Sequence, residues 1–197
     1  VGDTAGTLIR EIPFASLDFE SAGERANEPG VPVQIGIAWM ERLDPVPDSF
    51  YRSYLRAARP VTWSAQQIHG ITDRDLADAP DLLSLWPEVK GRLGGRWIVA
   101  HGSGTEKRFL RAFPLHGFGP WVDTLSLSRK VLPGRSSYAL SDLVGDLGLE
   151  EDARSYLPDF RWHEALSDAL ASLLLLRKLI ELTRIPEHPG EVLLGKS

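Results

Sequence analysis

The segment FASLDFES, residues 14–21, places Asp18 and Glu20 two residues apart in an alternating stretch. On a strand both side chains point to one face, roughly 7 Å apart at the backbone. Leu17 and Phe19 then point to the other face. Two carboxylates on a buried face repel unless a proton or a cation lies between them. Hard oxygen ligands of this kind suit Mg²⁺ or Mn²⁺. The competing reading is a strand end that frays into water, with both acids merely hydrated.

A second cluster runs from Val99 and His101 through Gly102, Ser103 and Gly104 to Glu106. A short strand that breaks at glycines and leads into a helix is where α/β sheets bind ligands. Glu106 falls in the first helical turn, where an acid also complements the helix dipole without further function. His101 reads as a hydrogen-bonded loop histidine. A third cluster spans Arg161–Ala169. His163 and Asp168 are five apart, about 140° of rotation on an ideal helix. They share a site only if His163 lies on the loop before the helix. Asp168 then faces the sheet beside Ala165, Ala169 and Ser172, an expensive place for an acid that binds nothing. The alternative puts Asp168 on the solvent face, opposite the leucines.

These residues need elements to hold them. Alternation predicts strands over residues 12–20, 33–40 and 50–55, with the Asp44-Pro45 and Pro47-Asp48 pairs as a turn between the last two. Short connections make the three antiparallel. Helical patterns follow over 64–69, 81–93, 106–115, 124–131, 139–147 and 163–183, with Pro87 in a first turn. Short strands fall at 96–100 and 121–124. Strands first, then alternating strand and helix, predict an α/β domain of three layers around a mixed sheet. No domain boundary is evident. Residues 1–197 read as one domain, with a motif-bearing core over about 12–183 and a loose tail over 184–197.

Composition narrows the class. The chain has 197 residues and no cysteine, which excludes disulfide scaffolds, thiolate metal sites and a cysteine nucleophile. Its net charge of −5 argues against nonspecific coating of nucleic acid. No apolar run approaches a spanning length and no signal-like N-terminus is visible. A membrane partner is not expected, and a reducing cytoplasm is the expected location.

As an ordered set the motifs resemble those of the DEDDh exonucleases, the DnaQ-like 3′→5′ exonucleases that include epsilon-type proofreading subunits of bacterial DNA polymerase III. The first motif resembles residues 14–21. The second resembles Val99-Ala100-His101 through Glu106 to Phe109-Leu110. The third resembles His163, Ala165, Asp168 and Ala169. Gln67-Ile68-His69-Gly70-Ile71-Thr72 is similar to the family's His-Gly-Ile-Thr segment, and Asp123-Thr124 and Ser141-Asp142-Leu143 fall at similar stretches. The likeness covers residues 12 to 180. Departures are Glu106 where the family has Asp, a His101-Gly102-Ser103 loop without the family's Asn, and Ser21 for Thr.

The resemblance implies a ribonuclease H-like fold with a central mixed five-stranded sheet flanked by helices. It implies a 3′→5′ exonuclease that uses two divalent metal ions, Mg²⁺ or Mn²⁺, to release nucleoside 5′-monophosphates from single-stranded DNA or RNA ends. Asp18, Glu20 and Asp168 would hold one ion. Asp18, supported by Glu106, would hold the other, and His163 would be the general base for the attacking water. Phe19, Ser21, Ile68 and His69 match positions that hold the terminal nucleotide; the strand parity of Phe19 then needs a twist or bulge. A DNA polymerase subunit is the implied protein partner, and no oligomeric state follows. The alternative is a catalytically impaired nuclease-like module that binds nucleic acid or a polymerase, for which Glu106 and the altered loop speak. The acidity also changes meaning. Asp18, Glu20, Glu106 and Asp168 are four of the 27 acidic residues, and two divalent ions would cancel their charge.

Overall fold

The computed structural model describes residues 6–26, 30–113 and 116–194. Strand β1 (Phe14–Ser21) pairs antiparallel with β2 (Pro32–Glu41), and β2 pairs antiparallel with β3 (Asp44–Tyr54). Strand β4 (Trp97–Ala100) adds parallel to β1, and β5 (Trp121–Asp123) parallel to β4. The order is β3-β2-β1-β4-β5, so β1 is central and its C-terminal end lies at the same edge as those of β4 and β5. This is the mixed five-stranded sheet that was expected.

The β2–β3 connection differs from the sequence reading. The turn sits at Arg42 and Leu43, both at positive φ (53° and 65°), and Glu41 already pairs with Asp44. A two-residue loop with both residues at positive φ matches the strand twist, although such loops usually carry Asn or Gly. The prolines that suggested a turn, Pro45 and Pro47, lie inside β3. They are tolerated there because β3 is an edge strand.

The helices are α1 (Trp63–His69), α2 (Trp86–Leu93), α3 (Gly104–Leu110), α4 (Thr124–Val131), α5 (Leu140–Asp146), α6 (Glu150–Tyr156) and α7 (Ala165–Thr183). The helix expected over 81–93 is split, with a 3-10 turn at Leu82–Leu85 before α2 and Pro87 in the first turn of α2. Helix α3 starts at Gly104 and ends at Leu110, earlier than the expected 106–115; residues 114 and 115 lie outside the described residues. Helix α6 was not foreseen. Its burial rests mainly on Ala153, with Tyr156 half-buried, too short a stripe to show a period.

One face of the sheet (Phe14, Met40, Trp97, Val99) packs under α7 through Leu166, Leu173 and Leu176. The other face (Ala15, Leu17, Ile35, Ile37, Ile98) packs against Val89 and Leu93 of α2 and Phe109 and Leu110 of α3. Three layers follow from this strict alternation along β1. The stretch read as a loose tail is packed as far as Leu194. Ile9 donates to His188 O at 2.9 Å, Gly190 donates to Thr7 O at 3.0 Å, and Leu193 is buried against the α7 side of the sheet. Residues 195–197 lie outside the described residues.

Candidate active site

On β1 the side chains of Phe14, Ser16, Asp18 and Glu20 share the α7 face. Phe14 packs in the core there, and the buried Ser16 hydroxyl donates to Val99 O. The two acids therefore emerge where that core ends and the first turn of α7 begins. Directly opposite Asp18 on β2 is Gly36. A Cβ at Gly36 would overlap backbone atoms of Ala165 and Leu166, so only glycine lets α7 come this close. Opposite Glu20 is Gln34, fully buried, whose Oε1 accepts from Ala165 N at 3.0 Å. Glu164 caps the helix, with Oε2 accepting from the Ser167 N–H and hydroxyl, both at 3.0 Å.

These contacts fix His163 and Asp168. His163 sits before the helix with φ +58°, as the five-residue spacing required. Its backbone N–H lies near enough to the Asp168 carboxylate to lower that group's proton affinity. One ligand atom from each of Glu20, His163 and Asp168 lies within 4.8 Å of the others. Asp18 is not in that closest set, which differs from the Asp18, Glu20, Asp168 set expected from the motifs. It sits two residues deeper on the strand, half-buried, and feels Asp168, Glu106, Glu20 and Glu164 around it. Glu106 reaches the cluster from α3 across the other side of β1, with 5% of its surface exposed.

Burial and mutual repulsion raise the proton affinity of the whole group. Burial is the first cause at Asp18, which is pushed well above the carboxylate range, with Asp168, Glu106 and Glu20 adding to it. Burial, then Glu164, pushes Glu20 up to about 7. Burial, then Glu20 and Glu164, pushes Asp168 up to about 8 against the His163 N–H. Burial, with Asp123 adding, pushes Glu106 up to about 7. Among the described residues, buried oxygens of Glu106 (Oε2) and Asp168 (Oδ1) have no hydrogen-bond partner. Buried carboxylate oxygens without donors, clustered among like charges, are a fitting set for hard divalent cations.

The nucleotide-binding residues expected from the motifs divide. His69 accepts from Ile71 N at Nδ1 and donates through Nε2 to Ser21 O at 3.0 Å, tying α1 to the end of β1. Burial lowers its proton affinity, the Ser21 carbonyl opposes this, and His163 lowers it further, so both histidines border one site. Ile68 is exposed on α1. Phe19 is the correction. Its side chain is buried on the opposite face in an edge-to-face contact with Phe109 at 5.3 Å. The register shift comes after Glu20 and leaves its extra residue, Val33, on β2, so nothing in β1 turns the ring around.

His101 is a structural loop histidine, with Nδ1 3.0 Å from Thr124 Oγ1 and Nε2 2.9 Å from Tyr138 O. Asp123 accepts from the backbone N–H groups of Gly102, Ser103 and Ser126, and so holds the loop that lacks the family's Asn. Sequence reasoning missed Gly36, Gln34 and Glu164 as site-builders. A lone glycine inside the 33–40 strand was the available signal for a close approach.

A central strand that delivers acids to one end of a mixed sheet, under a helix delivering another, defines an α/β domain with a carboxylate-rich site. A family model described as exonuclease matches residues 16–176. The chain belongs to this exonuclease family, and the resemblance to the DEDDh exonucleases holds. The DNA polymerase III PolC-type of Thermotoga petrophila is 30% identical over 176 residues, 87% of this chain and 12% of the polymerase. Exodeoxyribonuclease 10 of Escherichia coli is 34% identical over 80 residues, 41% of this chain and 33% of that protein. This chain thus spans only about an eighth of the PolC-type relatives it matches. Among solved structures, Exonuclease X in complex with 5′ overhanging duplex DNA has a TM-score of 0.73 at 24% identity, covering 91% of this chain and 99% of that one. The nuclease domain of 3′hExo, a DEDDh family member bound to rAMP, has a TM-score of 0.66 at 14% identity, covering 87% and 92%. The ribonuclease H-like fold expected from the sequence is the fold observed. Among the described residues no helix is long and apolar enough to cross a membrane.

Proposed function

We propose that this chain is a metal-dependent 3′→5′ exonuclease that releases nucleoside 5′-monophosphates from single-stranded DNA or RNA ends, with residues 12–183 as the core of one domain. The observation that carries this reading is the convergence of Asp18, Glu20, Glu106 and Asp168 with His163 at the end of β1. Asp18, Glu20, Asp168 and Glu106 would hold two divalent ions, Mg²⁺ or Mn²⁺. Bound there, such ions supply charge for the phosphoryl oxygens and lower the proton affinity of the attacking water.

The remaining work falls to the chain. His163, turned toward Glu20 and Asp168 by its left-handed backbone, takes the proton of the attacking water on a ring nitrogen. The water oxygen bonds to phosphorus, and the bond to the 3′ oxygen of the preceding nucleotide breaks. That oxygen leaves and takes a proton from solvent to become the new 3′ hydroxyl. Ser21, Ile68 and His69 border the terminal nucleotide, and the backbone of Phe19, not its ring, is what that residue can offer. A role beside a polymerase subunit is supported by the polymerase III relatives, and the cytoplasm is the compartment proposed with it.

The test uses matched 5′-labelled DNA and RNA single strands with Mg²⁺ or Mn²⁺. Expected is progressive shortening from the 3′ end, abolished by Asp18→Ala, with His163→Ala losing about 10²–10⁴-fold in rate. Wild-type protein that shortens neither strand supports the impaired binding module instead. A fully active Asp18→Ala removes the site assignment.

A further inference from the structure

Arg52 of β3 stands in one cross-strand row with the site. Asp18 pairs with Gly36, and Gly36 pairs with Arg52. Residues opposite one another on neighbouring strands share a face. Arg52 and Asp18 therefore flank the gap left by Gly36, and the start of α7 is seated in that gap.

The Arg52 guanidinium reaches two carboxylates, Asp159 Oδ2 and Glu164 Oε1, each at 3.5 Å. These are the two ends of the segment that carries His163. The middle of that segment is held by other bonds: Arg154 Nη1 donates to Phe160 O, Arg161 N to Ser167 Oγ, and Trp162 Nε1 to Glu150 Oε1. Glu164 itself is 1% exposed. Its Oε2 is taken by Ser167, and its Oε1 makes no hydrogen bond among the described residues, which leaves the Arg52 ion pair to compensate it. An exposed ion pair contributes little, but removing one partner of a buried carboxylate leaves an uncompensated charge. His163 holds a positive φ that a residue with a Cβ keeps only when its surroundings over-determine it.

We propose that Arg52 is a positioning residue for the cleavage reaction, its guanidinium clamping both ends of the 159–164 segment so that His163 stays turned toward Glu20 and Asp168. The clamp rests on the exonuclease reading for its kinetic consequence, and not for its structural one. Arg52 acts through Asp159 and Glu164 and touches no reacting atom.

The test combines kinetics on a 5′-labelled single strand with the ring ¹H–¹⁵N signal of His163 in metal-free protein. Arg52→Met is expected to lower kcat about 10- to 100-fold, the scale of a reacting group displaced by about 1 Å, with KM unchanged. The His163 ring signal should shift in that variant and return part-way in Arg52→Lys, whose single ammonium keeps the charge but cannot fork. The double variant Arg52→Met/Glu164→Gln should turn over faster than Arg52→Met alone, because the uncompensated carboxylate is gone. Should Arg52→Met fail to fold, Glu164→Gln carries the same measurement: it keeps an acceptor for Ser167, loses the ion pair, and should lower kcat at constant KM. Wild-type kcat with an unmoved His163 signal overturns the proposal. So does a raised KM at unchanged kcat, which would mark Arg52 as a substrate contact. If wild-type protein cleaves nothing, the exonuclease reading fails, and the His163 signal still decides the clamp.

Discussion

Gly36→Ala should damage activity more than stability. The added Cβ would lie closer than 3.0 Å to the carbonyl carbon and oxygen of Ala165 and to the nitrogen of Leu166, all backbone atoms that cannot rotate away. Ordinary carbon contacts need about 3.5–4.0 Å, so the start of α7 must retreat from β2 by about 1–2 Å. Overpacking of this kind typically costs about 1–3 kcal/mol. For a chain of this length that is about 2–12 °C in Tm. The fold survives, because the rest of α7 is anchored far from Gly36 by Leu173, Leu176 and Ile180. The site does not. Asp168 and His163 both ride on the displaced end, while Asp18 and Glu20 stay on β1. A misplacement of about 1 Å costs about 10²-fold in rate. The assay is kcat on a short single strand at a temperature well below the melting transition, with the melt followed by circular dichroism. Gly91→Ala is the control. Nothing lies within 4 Å of that position in α2, and the change should be neutral or stabilising by about 0.5–1 kcal/mol. A Gly36→Ala protein with wild-type kcat would refute the close-approach argument, and with it the placement of the α7 terminus.

Three further outcomes follow. In metal-free protein the raised affinities of Glu20 and Glu106 (about 7) and Asp168 (about 8) mean that the folded state binds more protons than the unfolded state. The contribution of these three groups to stability should therefore be fully present below the unfolded carboxylate pKa and be lost as pH rises through about 7–8, and Mg²⁺ or Mn²⁺ should raise Tm more at pH 8 than at pH 5.5; a metal effect equal at both pH values contradicts this. Glu106→Asp should lower the rate about tenfold or more, because α3 places this buried carboxylate for the longer side chain; a rate gain would show that the natural Glu is a handicap. Leu193→Ala should cost about 2–5 kcal/mol in urea denaturation, since Leu193 is buried against the sheet; a change under 0.5 kcal/mol would return residues 184–194 to the status of a loose tail.

Much of the fold was legible because its signals are local and periodic. Alternation located β1 and β2, the helical leucine pattern located α7, and glycines and prolines bounded most helices. The hairpin at Arg42-Leu43 was not legible, because neither residue advertises a positive φ, while the prolines beside it do advertise a turn. Helix α6 was lost for want of a period. The packed stretch 184–194 was lost because its partners are Thr7, Ile9 and Trp97, far away in sequence. At the site, strand parity predicted the shared face of Asp18 and Glu20, and the helical angle put His163 on a loop. Parity also warned against Phe19, and its ring does lie on the far face.

By itself the sequence determined that Asp18 and Glu20 share a strand face and that His163 can meet Asp168 only from ahead of the helix, because spacing along one strand and one helix is set by backbone geometry; the motif resemblance added Glu106 to the candidate set. It determined the kind of sheet as well, because short loops force antiparallel neighbours and long crossovers allow parallel ones. Only the tertiary structure decided how those acids meet. Asp18 and Asp168 are 150 positions apart in the chain, and their meeting depends on a missing side chain at Gly36, a buried amide at Gln34 and a capping Glu164. Such roles are defined by what lies across a gap in space, and one-dimensional spacing carries no record of that gap.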